Sequence, residues 1–259
     1  MKKVFILLTV LFIAYSAQIK AQEVINKIMK EKVLVVGTTG EQFPFTFKDA
    51  KGSLQGIDIN IANRLAKELG VEAKFEVMPF EKLIESLKEG KVDIILSGMT
   101  ATVKRNTEVA FPGVYYKTGK SILTFEKKLY KGDVKAINRK DITLVATENT
   151  TSEKYVKANY PNAKLVTVKE IGEAKDMLLA GKVDGVVADY ETTEMLAFGI
   201  TDKSVYYKNI SKSTEKEFIS PAVSGKDFLF INLVSNFIDR VNAYDDDEAI
   251  ESLWIKYLN

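Results

Sequence analysis

The sequence has no cysteine, no histidine, one tryptophan and only five prolines in 259 residues. Without cysteine no disulfide framework can form, so stability has to come from buried apolar cores. The missing histidines and cysteines also exclude imidazole bases, thiol nucleophiles and Cys/His metal centres. Neither a metal nor another cofactor is expected. The 37 basic and 35 acidic side chains nearly cancel, and no block of like charge stands out. That leaves no footprint for nucleic acid and no polybasic membrane patch. The longest acidic run, Asp245 to Glu248, reads as a loop or a helix N-terminus.

Only one long apolar run is present, and it lies at the start. Lys2 and Lys3 precede the apolar stretch Val4 to Ala14, and small residues follow at Ser16, Ala17 and Ala21. This is the order of a secretory signal, and the run is too short to span a bilayer as a helix. Residues 1–22 are set apart as a signal peptide, with candidate cleavage points at Ala14-Tyr15-Ser16 and at Ala21. Without Lys2, Lys3 and Lys20 the two signs stand at 34 and 35, close to neutral. No cysteine follows the apolar run to carry a lipid, and no second run of about 18 apolar residues exists. The expectation is an exported, soluble monomer with no stable membrane insertion, retained in a periplasm.

The remaining length allows two lobes. Short β-branched runs alternate with amphipathic stretches, the pattern of an α/β fold with mostly parallel strands. Val33 to Val36 is one strand. Asp58 can cap a helix with apolar positions Ile61, Ala62, Leu65, Ala66 and Leu69, stopped by Gly70. A helix with Leu83, Ile84 and Leu87 stops at Gly90, before the strand Val92 to Leu96. The second half echoes this, with a strand Ile142 to Ala146, a helix Ser152 to Asn159, and another with Ile171, Ala174, Met177 and Leu178. Gly90-Lys91-Val92-Asp93 and Gly181-Lys182-Val183-Asp184 match letter for letter, each joining a helix end to a strand. Two readings are open: reuse of common punctuation, or two similar lobes whose strand ends face one another. The second places a ligand cleft between lobes, beyond the carboxyl ends of the strands. Tyr116 to Phe125 reads as the outward crossing and Phe218 to Val223 as the return. The lobes are then 23–117 with 218–259, and 118–217. Leu229, Leu233, Phe237 and Val241 mark one last helix, and Ile250, Leu253, Trp254 and Tyr257 another.

The most informative segment is Ser97-Gly98-Met99-Thr100-Ala101-Thr102-Val103-Lys104-Arg105, followed by Tyr115-Tyr116. A strand end, a hydroxyl and then an arginine suit a carboxylate receptor, because the guanidinium fork matches both carboxylate oxygens. A solvated arginine at a helix start is the alternative.

Together with Gly56-Ile57-Asp58-Ile59 and Val183 to Asp189, these segments make the chain resemble the family 3 extracellular solute-binding proteins of ABC transporters. The resemblance runs from about Val33 to Tyr257. It implies a periplasmic protein with two α/β lobes and two crossing strands, capturing a small zwitterionic ligand such as a polar amino acid for an ABC permease. By that resemblance Arg105 clamps the ligand carboxylate, with Thr100, Ser97 and Gly98 helping. Asp189 takes the ammonium, although at a strand end it can equally cap the next helix. Thr150 and Thr151 lie where the family presents donors at a helix N-terminus. Phe80 falls at an apolar wall position. The family usually stacks an aromatic residue two before the first-loop proline, but here that position is Gln42, beside Phe43. Asn149 replaces the usual glycine before the threonines, and Ser220-Pro221 replaces a small flexible pair.

An enzyme on the same fold is the main competitor. Val36 to Gly40 and Glu153 to Asn159 look similar to the periplasmic cyclohexadienyl dehydratases, which act on prephenate or arogenate. That chemistry needs a carboxylic acid in the cleft. Glu191 and Glu194 lie near the right place, at a different spacing from Asp189. A ligand-presenting protein that docks on a receptor is a third class.

Overall fold

The computed structural model describes residues 22–49, 51–198, 200–201, 204–210 and 216–243. The signal segment up to residue 21, the acidic run at 245–248 and the last expected helix lie outside the described residues.

The first lobe opens with α1 (Glu23–Glu31) and β1 (Val33–Thr38). A small antiparallel sheet follows, made of β2 (Glu41–Gln42), β3 (Thr46–Lys48) and β4 (Leu54–Gln55). Then come α2 (Ile57–Leu69), β5 (Glu72–Val77), α3 (Leu83–Lys88), β6 (Ile94–Ile95) and the four-residue α4 (Val103–Asn106). The chain crosses on β7 (Tyr116–Thr118) and enters the second lobe through β8 (Lys120–Thr124), α5 (Lys127–Lys131) and α6 (Val134–Ile137). That lobe continues with β9 (Thr143–Thr147), α7 (Thr151–Asn159), β10 (Lys164–Val168) and α8 (Ile171–Leu179). It ends with β11 (Gly185–Asp189), α9 (Tyr190–Ala197) and β12 (Tyr206–Asn209). The return is β13 (Glu217–Ile219), β14 (Ala222–Val223) and α10 (Phe228–Ala243).

One sheet has the order β14-β6-β1-β5 and the other β10-β9-β11-β8-β12. β1 runs parallel to β5 and β6, and β9 runs parallel to β10 and β11. The crossing strands β7 and β13 pair with each other, antiparallel, between the two sheets. The molecule is thus two α/β lobes on a two-stranded connection.

Helices cover both faces of each sheet, so neighbouring strand residues enter different cores. Leu34, Val36 and Ile94 pack with α1, α2 and α10, whereas Ile95 packs with Leu83 and Leu87 of α3. In the second lobe Leu144 and Val187 join Val156, while Val145 and Val186 join Ala174 and Leu178. Every side chain named here is buried.

The repeated Gly-Lys-Val-Asp has a structural role. Gly90 (φ 72°) and Gly181 (φ 67°) take left-handed geometry at helix ends, which glycine adopts without a Cβ penalty. Each following aspartate then tethers the neighbouring strand. Asp93 Oδ2 accepts from Val35 N at 2.9 Å, and Asp184 Oδ2 accepts from Thr143 N at 2.7 Å.

Two sequence expectations shift. Asp58 does not cap its helix. Gly56 holds the N-cap position, and its φ of 125° lets the chain turn tightly enough for Asp58 N to reach Phe45 O at 2.8 Å. The Asp58 carboxylate points inward instead, to partners described below. The apolar stripe of α10 is also rotated. Its buried residues are Phe230, Val234, Phe237, Ile238 and Val241, and Leu229 is 45% exposed. Four-residue steps slip by about 40° each on a helix of 3.6 residues per turn, which carries Leu229 off the buried face.

Candidate functional site

A cavity of about 300 Å³ lies between the lobes. The first lobe contributes Gln42, Phe80, Gly98, Thr100 and Arg105 to its wall. Facing them from the second lobe are Thr150, Thr151, Asp189 and Thr192.

The first wall is built on the turn after β6. Gly98 sits at φ 57°, where a Cβ would come within 2.8 Å of the Phe45 ring and 3.0 Å of Gln42. Its N–H donates to Asp58 Oδ2 at 2.6 Å, and Tyr115 donates its hydroxyl to Asp58 Oδ1 at 2.6 Å. Burial pushes the Asp58 carboxyl up to about 7, against these two hydrogen bonds. Asp58 is thus an anchor for the Gly98 turn. Thr102 then caps α4 by accepting from Arg105 N at 3.2 Å. The Arg105 side chain folds back toward the turn and donates through Nη1 to Thr100 O at 2.9 Å. Its guanidinium lies over the Phe80 ring, 5.0 Å from the centroid. Arg105 is buried, not solvated. Burial lowers its pKa from the ordinary arginine value, and the carboxylates of Glu217 and Asp189 oppose that shift.

The second wall combines the α7 N-terminus with the end of β11. Asn149 adopts φ 60°, a left-handed conformation that asparagine tolerates better than most residues. Thr150 caps α7, accepting from Glu153 N at 3.3 Å and donating to Thr147 O at 2.6 Å. Asp189 stands at the N-cap position of α9 but makes no side-chain capping bond. Its carboxylate pairs instead with Lys120. Burial pushes the Asp189 carboxyl up, while Lys120 pulls it down.

Two of the ten expected residues lie off the cavity wall. Ser97 is buried and donates to Thr39 Oγ1 at 3.1 Å, bracing the turn from behind. Phe43 packs on Phe47 at 5.0 Å between ring centroids, and its carbonyl accepts from Thr192 Oγ1 at 3.3 Å across the cleft. Gln42 does face the cavity, with Nε2 donating to Gly98 O at 3.5 Å.

Several residues at the site escaped the sequence reading. Lys120 is buried, donates to Thr151 Oγ1 at 2.7 Å and lies 3.0 Å from Glu217 Oε1. Glu217 Oε2 accepts from Thr100 at 2.7 Å and from Thr151 at 2.8 Å. Glu41 of β2 hydrogen-bonds Glu170, which precedes α8 in the other lobe, and both line the cavity. A lysine opening the apolar strand Ser121-Ile122-Leu123 was the available signal for Lys120. Among the described residues no cluster of His, Cys, Asp or Glu suits a metal ion, and no helix is long and apolar enough to cross a membrane.

Residues 34–255 match the model of the bacterial extracellular solute-binding proteins, family 3. The chain belongs to that family. Among its relatives, a glutamine-binding protein of Geobacillus stearothermophilus is 30% identical over 74% of this chain and 73% of its own length. A cyclohexadienyl dehydratase of Pseudomonas aeruginosa is 28% identical over 67% of this chain and 66% of its own. Among solved structures, an ancestral amino acid-binding protein described as a precursor of cyclohexadienyl dehydratase superposes with a TM-score of 0.80. It is 30% identical, over 92% of this chain and all of that one. A binding component of an ABC transporter from Wolinella succinogenes, complexed with lysine, also gives 0.80 at 30% identity, over 87% of this chain and 95% of that one. As a family 3 member the chain has mostly binding proteins for relatives, with the dehydratase a departure among them.

Proposed function

We propose that this protein captures a small zwitterion, an amino acid, between lobes 23–117 with 218–259 and 118–217, and delivers it to an ABC permease from the periplasm. Buried Arg105 on one wall of a 300 Å³ cavity, with Asp189 on the opposite wall, carries the reading. The volume lies at the small end for ligand pockets. Arg105 takes the carboxylate and the wall around Asp189 takes the ammonium, so a bound zwitterion favours the closed arrangement by binding both lobes.

The dehydratase relative supplies a second reading, and the placement of the two expected acids, Glu191 and Glu194, speaks against it; the acids that do line the cavity are Glu41, Glu170 and Asp189. Glu191 accepts from Thr118 and, at 3.1 Å, from Tyr116, while Glu194 accepts from Tyr207 at 3.3 Å. Neither belongs to the cavity wall. A carboxyl bound to the crossing strand is not positioned to protonate a leaving hydroxyl.

A thermal-shift screen of the protein without residues 1–22 tests the proposal, using the twenty L-amino acids, prephenate and arogenate. A ligand at 100 times its Kd stabilises the fold by about 2.7 kcal/mol. At least one amino acid is expected to raise the melting temperature, with no turnover of prephenate or arogenate. The opposite result, no amino-acid shift and prephenate converted to a keto acid, carbon dioxide and water, would sink the carrier reading.

A further inference from the structure

Lys120, Asp189 and Glu217 meet where the second lobe adjoins crossing strand β13. The Lys120 side chain is 1% exposed, pairs with Asp189 and lies 3.0 Å from Glu217 Oε1. A lysine this deep keeps its charge only beside anions. Burial works against that charge, yet Asp189 and Glu217 outweigh it and raise the ammonium above the ordinary lysine value. One positive charge thus faces two negative ones. Had Lys120 met Asp189 alone, this end of the cleft would be neutral and would offer a ligand ammonium no counter-charge.

Glu217 does more than balance charge. Its Oε2 accepts from the hydroxyls of Thr100 and Thr151, on opposite walls of the cavity. A hydroxyl has one proton and two lone pairs. With its proton given to Glu217, each threonine has only acceptor capacity left, and Thr151 spends part of that on Lys120. This is the reverse of the donor role that the family resemblance implies for these threonines. Burial alone would raise the Glu217 carboxyl, but Lys120 and the two hydroxyls prevail and hold it below the ordinary glutamate value.

We propose that Glu217 sets the ammonium pole of the cleft, turning Thr100 and Thr151 into acceptors and restoring the negative charge that Lys120 cancels on Asp189. The proposal rests on the zwitterion reading above. Glu217 is a positioning residue, since it is not part of the cavity wall. With Arg105 included, the four side chains sum to zero, as a zwitterion does.

The test is calorimetric titration with the L-amino acids and, for each that binds, its 2-hydroxy acid counterpart. The wild-type protein is expected to prefer the amino acid. In Glu217→Gln the preference should fall about tenfold or more, the scale of a lost charge-assisted hydrogen bond. In Lys120→Met with Glu217→Gln the pole again carries one negative charge, on Asp189, and part of the preference should return. Thr100→Val removes an acceptor without changing any charge and should also lower the preference, which covers the case of a misfolded Glu217 variant. Equal losses for both ligand types in Glu217→Gln would overturn the proposal and leave the zwitterion reading standing. So would a double variant no more selective than the single one. If no amino acid binds the wild-type protein, both fall together.

Discussion

The Arg105 guanidinium lies against the face of Phe80, 5.0 Å from the ring centroid, while its Nη1 is held by Thr100 O at 2.9 Å. One face and one N–H are therefore committed to the protein. The remaining donors are fixed in orientation before any ligand arrives, which spares the ordering cost of a long side chain.

That arrangement sets the effect of two substitutions. Arg105→Lys keeps the charge but loses the planar fork, and amino-acid affinity should fall about tenfold or more. Phe80→Ala frees the Arg105 side chain in the unliganded protein, and ordering it again on binding costs about 0.5–1.5 kcal/mol, a loss of roughly 2- to 13-fold. Titration calorimetry checks both. Unchanged affinity in Arg105→Lys would contradict bidentate recognition.

Asp58 makes a stability prediction with a definite sign. Its carboxyl titrates at about 7 in the fold, above the ordinary 3.8. The preference for the protonated form is fully present below about pH 4 and is lost as pH rises through 7. Relative to Asp58→Asn, the wild-type protein should therefore lose stability between pH 5 and pH 8. Asp58→Ala leaves the Gly98 N–H without its partner and should cost about 1–3 kcal/mol. Urea denaturation of the three proteins at both pH values decides the matter.

Glu41 ties ligand affinity to pH. Burial and its hydrogen bond to Glu170 raise its carboxyl to about 7, with Glu173 adding to the rise and Lys48 opposing it. Opening the cleft would separate Glu41 from Glu170 and return the carboxyl toward 4.5, so closure would take up a proton between those values. Affinity should fall as pH rises through 7. In Glu41→Gln the dependence should flatten, and an equally steep profile in that variant would count against the contact.

Much of this fold is legible locally. Helix stops at Gly70, Gly90 and Gly181 and the alternating strands are set by neighbours in the chain, as is the Ser97 to Arg105 turn. What sequence reading misses is long-range. Lys120 and Asp189 are 69 positions apart, and Thr100 and Glu217 are 117 apart. Composition and spacing carry no record of such pairs. Asp58 is a nearer failure: its position suits a cap, but the left-handed Gly56 already turns the chain, which frees the carboxylate for Gly98 and Tyr115.

The central claim is that one cavity holds both poles of an amino acid. Calorimetry with the best-binding amino acid, its carboxamide and its N-acetyl derivative tests it most directly. Each cap removes one pole and leaves the facing side, Arg105 or the excess negative charge of Asp189 and Glu217 over Lys120, without its ligand counter-charge, so each derivative should bind about 100-fold more weakly or worse. Either derivative binding as tightly as the parent would contradict the account.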